Sequence, residues 1–287
     1  MEKVFKRIDV PAINDEDELT TLSENTRLSS FPELKNNLQI ILDQIGNYHG
    51  SNGNPWSLTA LDIPSRLKIA LKSHYNKPPM DRLAYFKKFR EELSPDVCPL
   101  CGGFGSSTLD HVLPKDDYPE FAVYSRNLVP ACSCNNKKGT ACKGSNASER
   151  VMHPYYDDFI NEALYKSEFI GDFISPEISV VVINPAHPQL GVLEFHLHEV
   201  VLKNKIINWM IKTWGNLCTR GDKILDAYIP PENLDVGGVK VALEKYNHTK
   251  EAEYGTPNNW WSIFLFGLID DNERLELLAE KLNNLRA

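Results

Sequence analysis

The chain has 287 residues, of which 42% are hydrophobic and 24% are charged, and its formal net charge is −8. These values are ordinary for a globular protein, and the length suits one domain with extensions or two small domains. The acidic balance argues against a protein that coats nucleic acid over its whole surface. The longest apolar run, at 260–269, is too short to span a membrane, and the N-terminus lacks the apolar stretch of a signal peptide. We therefore expect a cytoplasmic protein without a membrane partner.

The N-terminal third is predicted to be helical after an irregular lead. Residues 1–30 show no sustained hydrophobic period and predict an extended or partly disordered segment. Residues 33–46 predict a helix that ends at Gly46, because their apolar side chains recur on one face. The elements predicted next are a loop at 47–60 and helices at about 64–75 and 80–93, which complete a helical N-terminal region at 31–95.

The C-terminal region, 155–287, is predicted to be mainly helical with a small β element. Its apolar and alternating stretches predict a buried strand at 177–183 and a half-exposed strand at 192–198. The helices predicted after these strands lie at about 199–218, 236–247, 258–268 and 272–285. The tryptophans expected to pack in the core of these helices, rather than to stack on bases, are Trp209, Trp214, Trp260 and Trp261. The whole pattern predicts a mainly α fold with a small α+β element.

Basic residues are concentrated at 66–90, immediately before a cluster of cysteines. They are Arg66, Lys68, Lys72, Lys77, Arg82, Lys87, Lys88 and Arg90, and the one acid among them is Asp81. A local basic surface neutralises phosphates while the rest of the chain stays acidic. The alternative is a solvated helix face without a ligand. We favour a nucleic-acid surface that includes Lys87, Lys88 and Arg90.

Five of the six cysteines fall between Cys98 and Cys142, which favours a metal site in a reducing compartment. Cys98 and Cys101 form a Cys-x-x-Cys pair, and Cys132 and Cys134 form a second, shorter pair. Two such pairs predict a tetrahedral zinc site with four cysteine ligands, which stabilises a segment with little apolar core. Two alternatives stay open. Either Cys142 replaces a member of the second pair, or the cysteines are buried without metal.

Polar residues with catalytic chemistry lie between and just after the two cysteine pairs. The chain reads CPLC, LDHVLP, RNLVPAC and CNNKKG in that order. This order resembles the HNH (ββα-metal) endonuclease family, in which Asp-His ends one strand, a central Asn precedes the next, and a last Asn opens a helix. The stretch from Asp110 to Cys132 is especially similar to HNH nucleases of bacterial anti-phage systems of the Septu and retron-associated types. The resemblance implies a ββα-metal core at 96–154, stapled by zinc and flanked by helical extensions.

The resemblance also implies roles for individual residues. Phosphodiester hydrolysis requires a general base and a bound cation, and the implied roles supply both. His111 is the implied general base, because an imidazole titrates near neutral pH. Asp110 and Asn135 are the implied ligands of a catalytic Mg²⁺ or Mn²⁺, with Asn136 as the alternative to Asn135. Asn127 is implied to hold the loop that carries His111 through backbone hydrogen bonds.

Other polar residues near the motif receive separate expectations. Lys137 and Lys138, near the start of the last helix of the motif, are implied to meet phosphate oxygens. His153 follows the motif closely and is expected to be a packed histidine rather than a ligand. His196 and His198 alternate along a predicted strand without a third ligand nearby, so we expect both to be exposed.

Two classes of function remain. The first is an HNH endonuclease that hydrolyses DNA, or alternatively RNA, as the nuclease effector of an anti-phage system. The second is a non-catalytic, zinc-stapled module that binds nucleic acid or protein. We favour the enzyme, because a module that needs only its zinc fold has no use for the Asp-His-Asn-Asn set. The C-terminal region is expected to dock a partner, such as an ATPase or another defence-system subunit.

Overall fold

The computed structural model describes residues 8–79 and 82–287. A helical N-terminal part, a small ββα unit and a larger C-terminal part follow one another along the chain. Helices predominate and the strands form two small antiparallel sheets, which confirms the prediction of a mainly α fold with a small β element. Across these residues no helix combines the length and the apolar character that a membrane span needs. Asp81, the one acid of the basic segment, lies outside the described residues.

The N-terminal part consists of short helices that share one apolar core. Within the described residues these are α1 (Asp15–Glu24), α2 (Glu33–Asn36), α3 (Leu38–Gly50), α4 (Ser65–Asn76) and α5 (Tyr85–Glu91). Leu22, Leu34, Ile41, Leu67 and Phe86 are all buried in this core. The core also includes Leu109 of the ββα unit, so the helices form one wall of the central segment.

The predicted extended lead at 1–30 is wrong for residues 15–24, which form α1. Asn14 caps this helix, because its side-chain oxygen accepts a hydrogen bond from the backbone N–H of Asp17 at 3.4 Å. Leu19 and Leu22 are buried against the other helices. Two apolar residues are too few to give a visible period, and tertiary packing decides this helix.

Two other N-terminal boundaries differ from the predictions. The helix predicted at 33–46 is divided into α2 and α3, and α3 continues past Gly46 to Gly50. The extra turn is stabilised by Tyr48, which is fully buried in the core beside the ββα unit. The helix predicted at 80–93 is the shorter α5, and residues 80 and 81 of that range are not described.

The ββα unit consists of β1 (Thr108–His111), β2 (Leu128–Ala131) and α6 (Cys134–Lys138). The strands are antiparallel, with Asp110 opposite Val129 and His111 opposite Leu128. A tight turn at 98–103 precedes the strands. Its Gly102 has a φ of +71°, and a Cβ atom at this position would collide with the backbone oxygen of Asn258. Each strand has only four residues and the helix has five. Hydrogen bonds within these elements therefore contribute little to the stability of the unit.

The C-terminal part is larger and more regular. Its elements are β3 (Tyr165–Ile170), β4 (Glu177–Val182), α7 (Leu190–His196), a π-helical segment (Leu197–Val201), α8 (Ile206–Ile224), α9 (Val236–Tyr254), α10 (Trp260–Ile269) and α11 (Asn272–Arg286). β3 and β4 pair antiparallel, and the Ser167 hydroxyl of β3 donates to the Phe264 carbonyl of α10 at 2.9 Å. The strand predicted at 177–183 is confirmed, whereas β3 had no recognisable period.

The strand predicted at 192–198 is wrong, because these residues belong to α7 and the π-helical segment. Val192, Leu193 and His196 are buried together, and their spacing is that of one helix face. The short run of alternating residues fits either period, and packing selects the helix. The helix predicted from residue 199 accordingly begins only at Ile206. Trp214 and Trp260 are buried, and Trp209 and Trp261 pack partly exposed against the same core.

Candidate functional site

The four predicted zinc ligands converge on one point. Sγ of Cys98 lies 3.6 Å from Sγ of Cys134, and Sγ of Cys101 lies 3.5 Å from Sγ of Cys132. All four sulfurs lie within 4.8 Å of one another. A tetrahedral zinc with Zn–S bonds of about 2.3 Å requires sulfurs about 3.8 Å apart. The group could therefore hold zinc, and Cys142 is not a member of it.

Hydrogen-bond donors of the backbone and of the side chains lie close to the four sulfurs. The backbone N–H of Cys132 lies 3.4 Å from the sulfur of Cys98, and that of Cys134 lies 3.3 Å from the sulfur of Cys132. Hydrogen bonds among the four thiols lower the pKa of Cys132, with Cys101 as the largest cause, and raise the pKa of Cys101 and of Cys134. Zinc binds thiolates, so its binding would release the remaining thiol protons, and four cysteines are the donor set of a structural zinc site.

Residues of the C-terminal region hold the cysteine turn in place. Asn204 donates from Nδ2 to the sulfur of Cys101 at 3.2 Å, and Trp260 donates from Nε1 to the carbonyl of Cys101 at 2.8 Å. His196 donates from Nε2 to the carbonyl of Leu100 at 2.5 Å. Sequence reasoning missed Asn204, because a lone Asn far from the motif carries no signal. The C-terminal region thus supports the metal site directly.

Of the three histidines with separate predictions, one is placed differently from the expectation. His196 was expected to be exposed but is fully buried, both of its ring nitrogens bond to the backbone, and burial lowers its pKa to about 4. His153 is packed as predicted, with Nε2 2.9 Å from the hydroxyl of Tyr48. His198 is exposed as predicted. The first difference follows from the wrong strand at 192–198.

A second site lies at the end of β1, beside α6. A cleft of about 350 Å³ is lined by Asp110 and His111 from β1, by Asn135 and Asn136 from α6, and by Tyr75 from α4. Because Cys134 is the first residue of α6, the cysteine group also sets the position of Asn135. The structure therefore brings the predicted base and all three predicted ligand candidates to one cleft.

The buried carboxylate of Asp110 is paired with a lysine. Its Oδ2 atom lies 3.2 Å from Nζ of Lys138, within ion-pair distance. Burial raises the pKa of Asp110, and the ammonium of Lys138 opposes this rise. Lys138 thus offsets part of the cost of burying the carboxylate, whose oxygens are hard ligands for a divalent cation in the cleft.

Lys138 does not have the role that the resemblance implies. Its ammonium is buried and donates to the backbone carbonyl of His111 at 2.9 Å. It therefore faces the protein interior and braces the end of β1 instead of meeting phosphate. Lys137, its neighbour on α6, is exposed and is free of this constraint.

The ring of His111 is fixed with one nitrogen engaged. Its Nε2 lies 2.9 Å from the carbonyl oxygen of Ala122, and because a carbonyl only accepts, Nε2 carries the proton and Nδ1 the lone pair. Burial lowers the pKa of His111 to about 3, so the imidazole is neutral at pH 7. Tyr75 packs against its edge, with ring centroids 4.3 Å apart, and is itself fixed by a hydrogen bond to the carbonyl of Leu109 at 2.6 Å.

Asn135 is oriented so that its oxygen stays unpartnered. Its Nδ2 donates to the hydroxyl of Thr108 at 2.8 Å, and that hydroxyl donates to the carbonyl of Ala131 at 2.8 Å. Its Oδ1 is buried and has no hydrogen-bond partner within the described residues. Asn136 lines the same cleft but is exposed. The carboxylate of Asp110 and the unpartnered amide oxygen of Asn135 are hard ligands, so the residues present fit a divalent ion such as Mg²⁺.

Asn127 holds the loop that joins β1 to β2. Its Oδ1 accepts from the backbone N–H of Leu113 at 2.8 Å and from the hydroxyl of Tyr48 at 3.0 Å. Its Nδ2 donates to the carbonyls of Leu113 at 3.0 Å and Phe121 at 3.2 Å. Leu113 lies two residues after His111, and Phe121 directly precedes Ala122. The amide of Asn127 therefore positions both partners of the hydrogen bond between His111 and Ala122. Its placement is the one that the resemblance implies.

The basic segment at 66–90 is less positive at its surface than its composition predicts. Half of its eight basic residues pair with acids, in the pairs Arg66–Glu33, Lys68–Asp62, Lys72–Asp116 and Lys87–Glu91, at 2.9 to 3.8 Å. Lys88 is exposed, whereas Arg90 is half-buried with its guanidinium 6.0 Å from the ring of Phe86. All four acids lie outside the segment, and Glu33 and Asp116 are distant from it in sequence, so local spacing does not predict those two pairs.

Lys115 is a cleft residue that sequence reasoning missed. Its ammonium lies 5.1 Å from the ring of Tyr75, and both residues line the cleft beside His111. It follows the DHVLP stretch directly, so its position next to the motif was the one available signal. The cleft thus has a cation at its rim in addition to the residues of the motif.

Comparison with known proteins gives two partial similarities. No family model matches the chain, and no solved structure matches it. Protein ea31 of Escherichia phage lambda is 27% identical over an alignment of 184 residues, and the match covers 58% of this chain and 62% of that protein. The Septu protein PtuB of Bacillus thuringiensis is 44% identical over 50 residues, which are 17% of this chain and 18% of that protein. The chain thus matches less than two thirds of the length of either relative.

Proposed function

We propose that this chain is a metal-dependent endonuclease of the HNH type, which hydrolyses phosphodiester bonds of nucleic acid at the cleft between β1 and α6. One observation carries the proposal. A neutral histidine, His111, shares one cleft with the buried carboxylate of Asp110 and with the unpartnered amide oxygen of Asn135. A base beside a pair of hard ligands is the equipment of metal-assisted phosphodiester hydrolysis.

The order of the elements supports the same assignment. Asp110 and His111 end the first strand, Asn127 precedes the second strand, and Asn135 lies in the helix that follows. This is the order that the HNH resemblance implies. The cysteine group beside α6 fits the structural zinc of that resemblance. The similarity to a Septu protein adds support from an independent comparison.

The chemistry assigned to His111 follows from its hydrogen bond. Because Nε2 donates to the carbonyl of Ala122, Nδ1 is the nitrogen that accepts a proton from the attacking water. The same carbonyl offsets part of the cost of forming the imidazolium, which burial disfavours. A divalent ion bound by Asp110 and Asn135 would supply positive charge for the phosphate and the leaving oxygen. Asn127 keeps His111 in position but touches no reacting atom.

The substrate and the biological role are the broader part of the proposal. DNA is the default substrate and RNA the alternative, because the assigned chemistry neither needs nor excludes a 2′-hydroxyl. The similarity to PtuB supports a role as the nuclease effector of an anti-phage system. In that role the C-terminal region would dock an ATPase or another defence subunit that licenses cleavage.

The direct test is cleavage of plasmid DNA and of a single RNA transcript by purified protein with added Mg²⁺ or Mn²⁺. We expect His111→Ala to lower the cleavage rate about 10²- to 10⁴-fold while the zinc content is unchanged. His198→Ala is the matched control, because His198 is exposed and lies outside the cleft. Equal rates in the wild type and His111→Ala would contradict the proposal.

The metal ligands are separated by comparing neighbouring amides. We expect Asn135→Ala to raise the Mg²⁺ concentration needed for half-maximal cleavage, and Asn136→Ala to raise it less. The reverse order would transfer the ligand role to Asn136. A wild-type protein that binds nucleic acid but cleaves neither substrate with any divalent ion would instead support the non-catalytic binding module.

A further inference from the structure

A second concave surface lies beside the cysteine group, on the N-terminal side of α6, whereas the lining of the candidate active cleft includes residues within and after α6. It encloses about 490 Å³, and its side chains include Phe104, Trp209, Trp260, Lys205, Asn208 and Lys212. Cys132 and Ser133, which precede α6, also line it. The surface is therefore assembled from the cysteine turn on one side and from α8 on the other.

The aromatic side chains of this surface are fixed and partly open to solvent. Phe104 is 40% exposed, although large apolar residues are more often buried. Its ring centroid lies 5.7 Å from that of Trp209 and 5.8 Å from that of Trp260. Trp209 is half-buried and lies 5.8 Å from Trp260. The packed tryptophans hold Phe104 rigid, and a rigid exposed ring is what a stacking platform requires.

The charged and polar side chains beside the rings are positive or neutral. Lys205, Asn208 and Lys212 are all exposed, and their spacing places them along one side of α8. None of the described residues that line this surface is acidic. Exposed aromatic rings beside cations bind single-stranded nucleic acid, because bases stack on the rings and phosphates meet the cations.

The short helix α6 connects this surface to the active cleft. Ser133, which precedes α6, lines the aromatic surface, whereas Asn135 and Asn136 within α6 and Gly139 after it line the cleft. Ser133, Asn136 and Lys137 are all exposed, so the solvent side of α6 is open between the two. Five helical residues span about 7 Å, a distance that a few nucleotides bridge.

We infer that the surface formed by Phe104, Trp209, Lys205 and Lys212 binds a single-stranded stretch of the substrate while another part of the same strand occupies the active cleft. This inference rests on the proposed nuclease function for its substrate class. Bases stack on Phe104 and Trp209, and the two lysines contact phosphates. The strand then follows the exposed side of α6 to reach His111.

The test measures binding of a fluorescein-labelled single-stranded oligonucleotide and of the matching duplex by fluorescence anisotropy, without added divalent ions. We expect Phe104→Ala to weaken single-strand binding at least about fivefold and duplex binding much less. Lys205→Glu combined with Lys212→Glu should make the plot of log affinity against log salt shallower by about 1.4, since each phosphate contact contributes about 0.7.

The matched control is Lys245→Glu combined with Lys281→Glu, which changes the charge equally at exposed positions on α9 and α11. Unchanged single-strand binding in Phe104→Ala, or equal losses for single strand and duplex, would overturn the inference. So would lysine variants that lower only the zinc content, because the lysines would then merely balance the charge of the thiolates.

Failure of the inference differs from failure of the proposed function. If Phe104→Ala binds normally while His111→Ala abolishes cleavage, the nuclease assignment stands and the aromatic surface has no role in substrate binding. If Phe104→Ala loses single-strand binding while no variant or wild type cleaves, the binding surface stands without the enzyme. Running the assay with DNA and RNA oligonucleotides of one sequence shows which strand the surface prefers.

Discussion

In the C-terminal region, 155–287, helices of up to 19 residues close around one continuous apolar core. In the segment 96–154, by contrast, two strands of four residues and a helix of five carry the candidate site. The apolar cluster around the cysteines includes the cysteines themselves among its members. Both regions bury apolar side chains, among them Leu113, Phe121 and Val129 in the second, but the candidate site of the second is also held by side-chain hydrogen bonds to the backbone.

The contrast between these two regions indicates where a reactive site can exist in this fold. A site needs buried polar atoms that the rest of the chain leaves without partners, such as Oδ1 of Asn135. Such atoms lower the stability of the segment that carries them. A metal bound by the four cysteines would restore stability without filling the cleft, because its bonds are concentrated at one point. We expect substitutions in the two regions to differ accordingly.

Removing one zinc ligand should have the largest effect. The binding energy of a structural zinc is on the order of 10 kcal/mol at neutral pH, and it contributes to folding. We expect the wild type to hold about one zinc per chain and Cys98→Ser to lose it, with unfolding of the segment 96–154 and poor solubility. Elemental analysis and limited proteolysis measure both results.

Cys142→Ser is the control for this variant, because Cys142 lies outside the cysteine group and its replacement should leave the zinc content unchanged. A well-folded Cys98→Ser protein without zinc would show that the segment does not depend on metal.

Removing buried side-chain volume in the C-terminal region should lower the free energy of unfolding without changing the candidate site. Leu278 of α11 is fully buried, so Leu278→Ala should cost about 2–5 kcal/mol of unfolding free energy. Leu285→Ala on the same helix should cost much less, because Leu285 is 37% exposed. Urea unfolding measures both, and zinc content and cleavage below the transition should match the wild type. Loss of zinc in Leu278→Ala would show that the two regions unfold as one unit.

Asn127→Ala should affect both stability and cleavage. The change removes four hydrogen bonds and leaves the backbone N–H of Leu113 buried without its partner. We expect a loss of about 2–3 kcal/mol in urea unfolding and a lower cleavage rate, because the loop that orients His111 is released. Zinc content should stay normal, since no cysteine depends on this amide. Wild-type stability together with wild-type cleavage would remove Asn127 from its positioning role.

Asp15→Asn should raise stability in a pH-dependent way. Burial raises the pKa of Asp15 to about 6, although Ser125 donates to both carboxylate oxygens. Because the folded pKa lies above the unfolded value, the protonated form favours folding, and the wild type loses stability as the pH rises from about 4 to about 6. Above pH 6 the neutral amide should be more stable by on the order of 1–3 kcal/mol.

Thermal unfolding across this pH range measures the effect, and Glu16→Gln on the exposed side of α1 is the control for charge removal. An Asp15→Asn advantage that is equal at pH 4 and pH 8 would exclude burial of the carboxylate as its cause.

The outcome of the sequence predictions varies between regions for physical reasons. The helices with a strong apolar period, such as α10 and α11, lie close to their predicted positions. α1 and β3 were missed, because two or three buried side chains do not make a detectable period. The stretch around His196 was assigned the wrong period, since seven residues of alternating polarity fit a strand as well as a buried helix face.

Local spacing was enough to predict the four cysteines that converge and the order of the catalytic candidates, because cysteines at short spacing and adjacent Asp and His residues are brought together by the chain itself. Only the tertiary structure decided which neighbours complete the site. In the folded chain Lys138 faces the interior, Cys142 lies outside the cysteine group, and the amide of Asn135 is held by Thr108. Tyr75 lines the candidate active cleft, and Asn204 contacts the cysteine group. The reason is that burial and hydrogen bonding depend on what packs against a residue from elsewhere in the chain, and no local spacing encodes that.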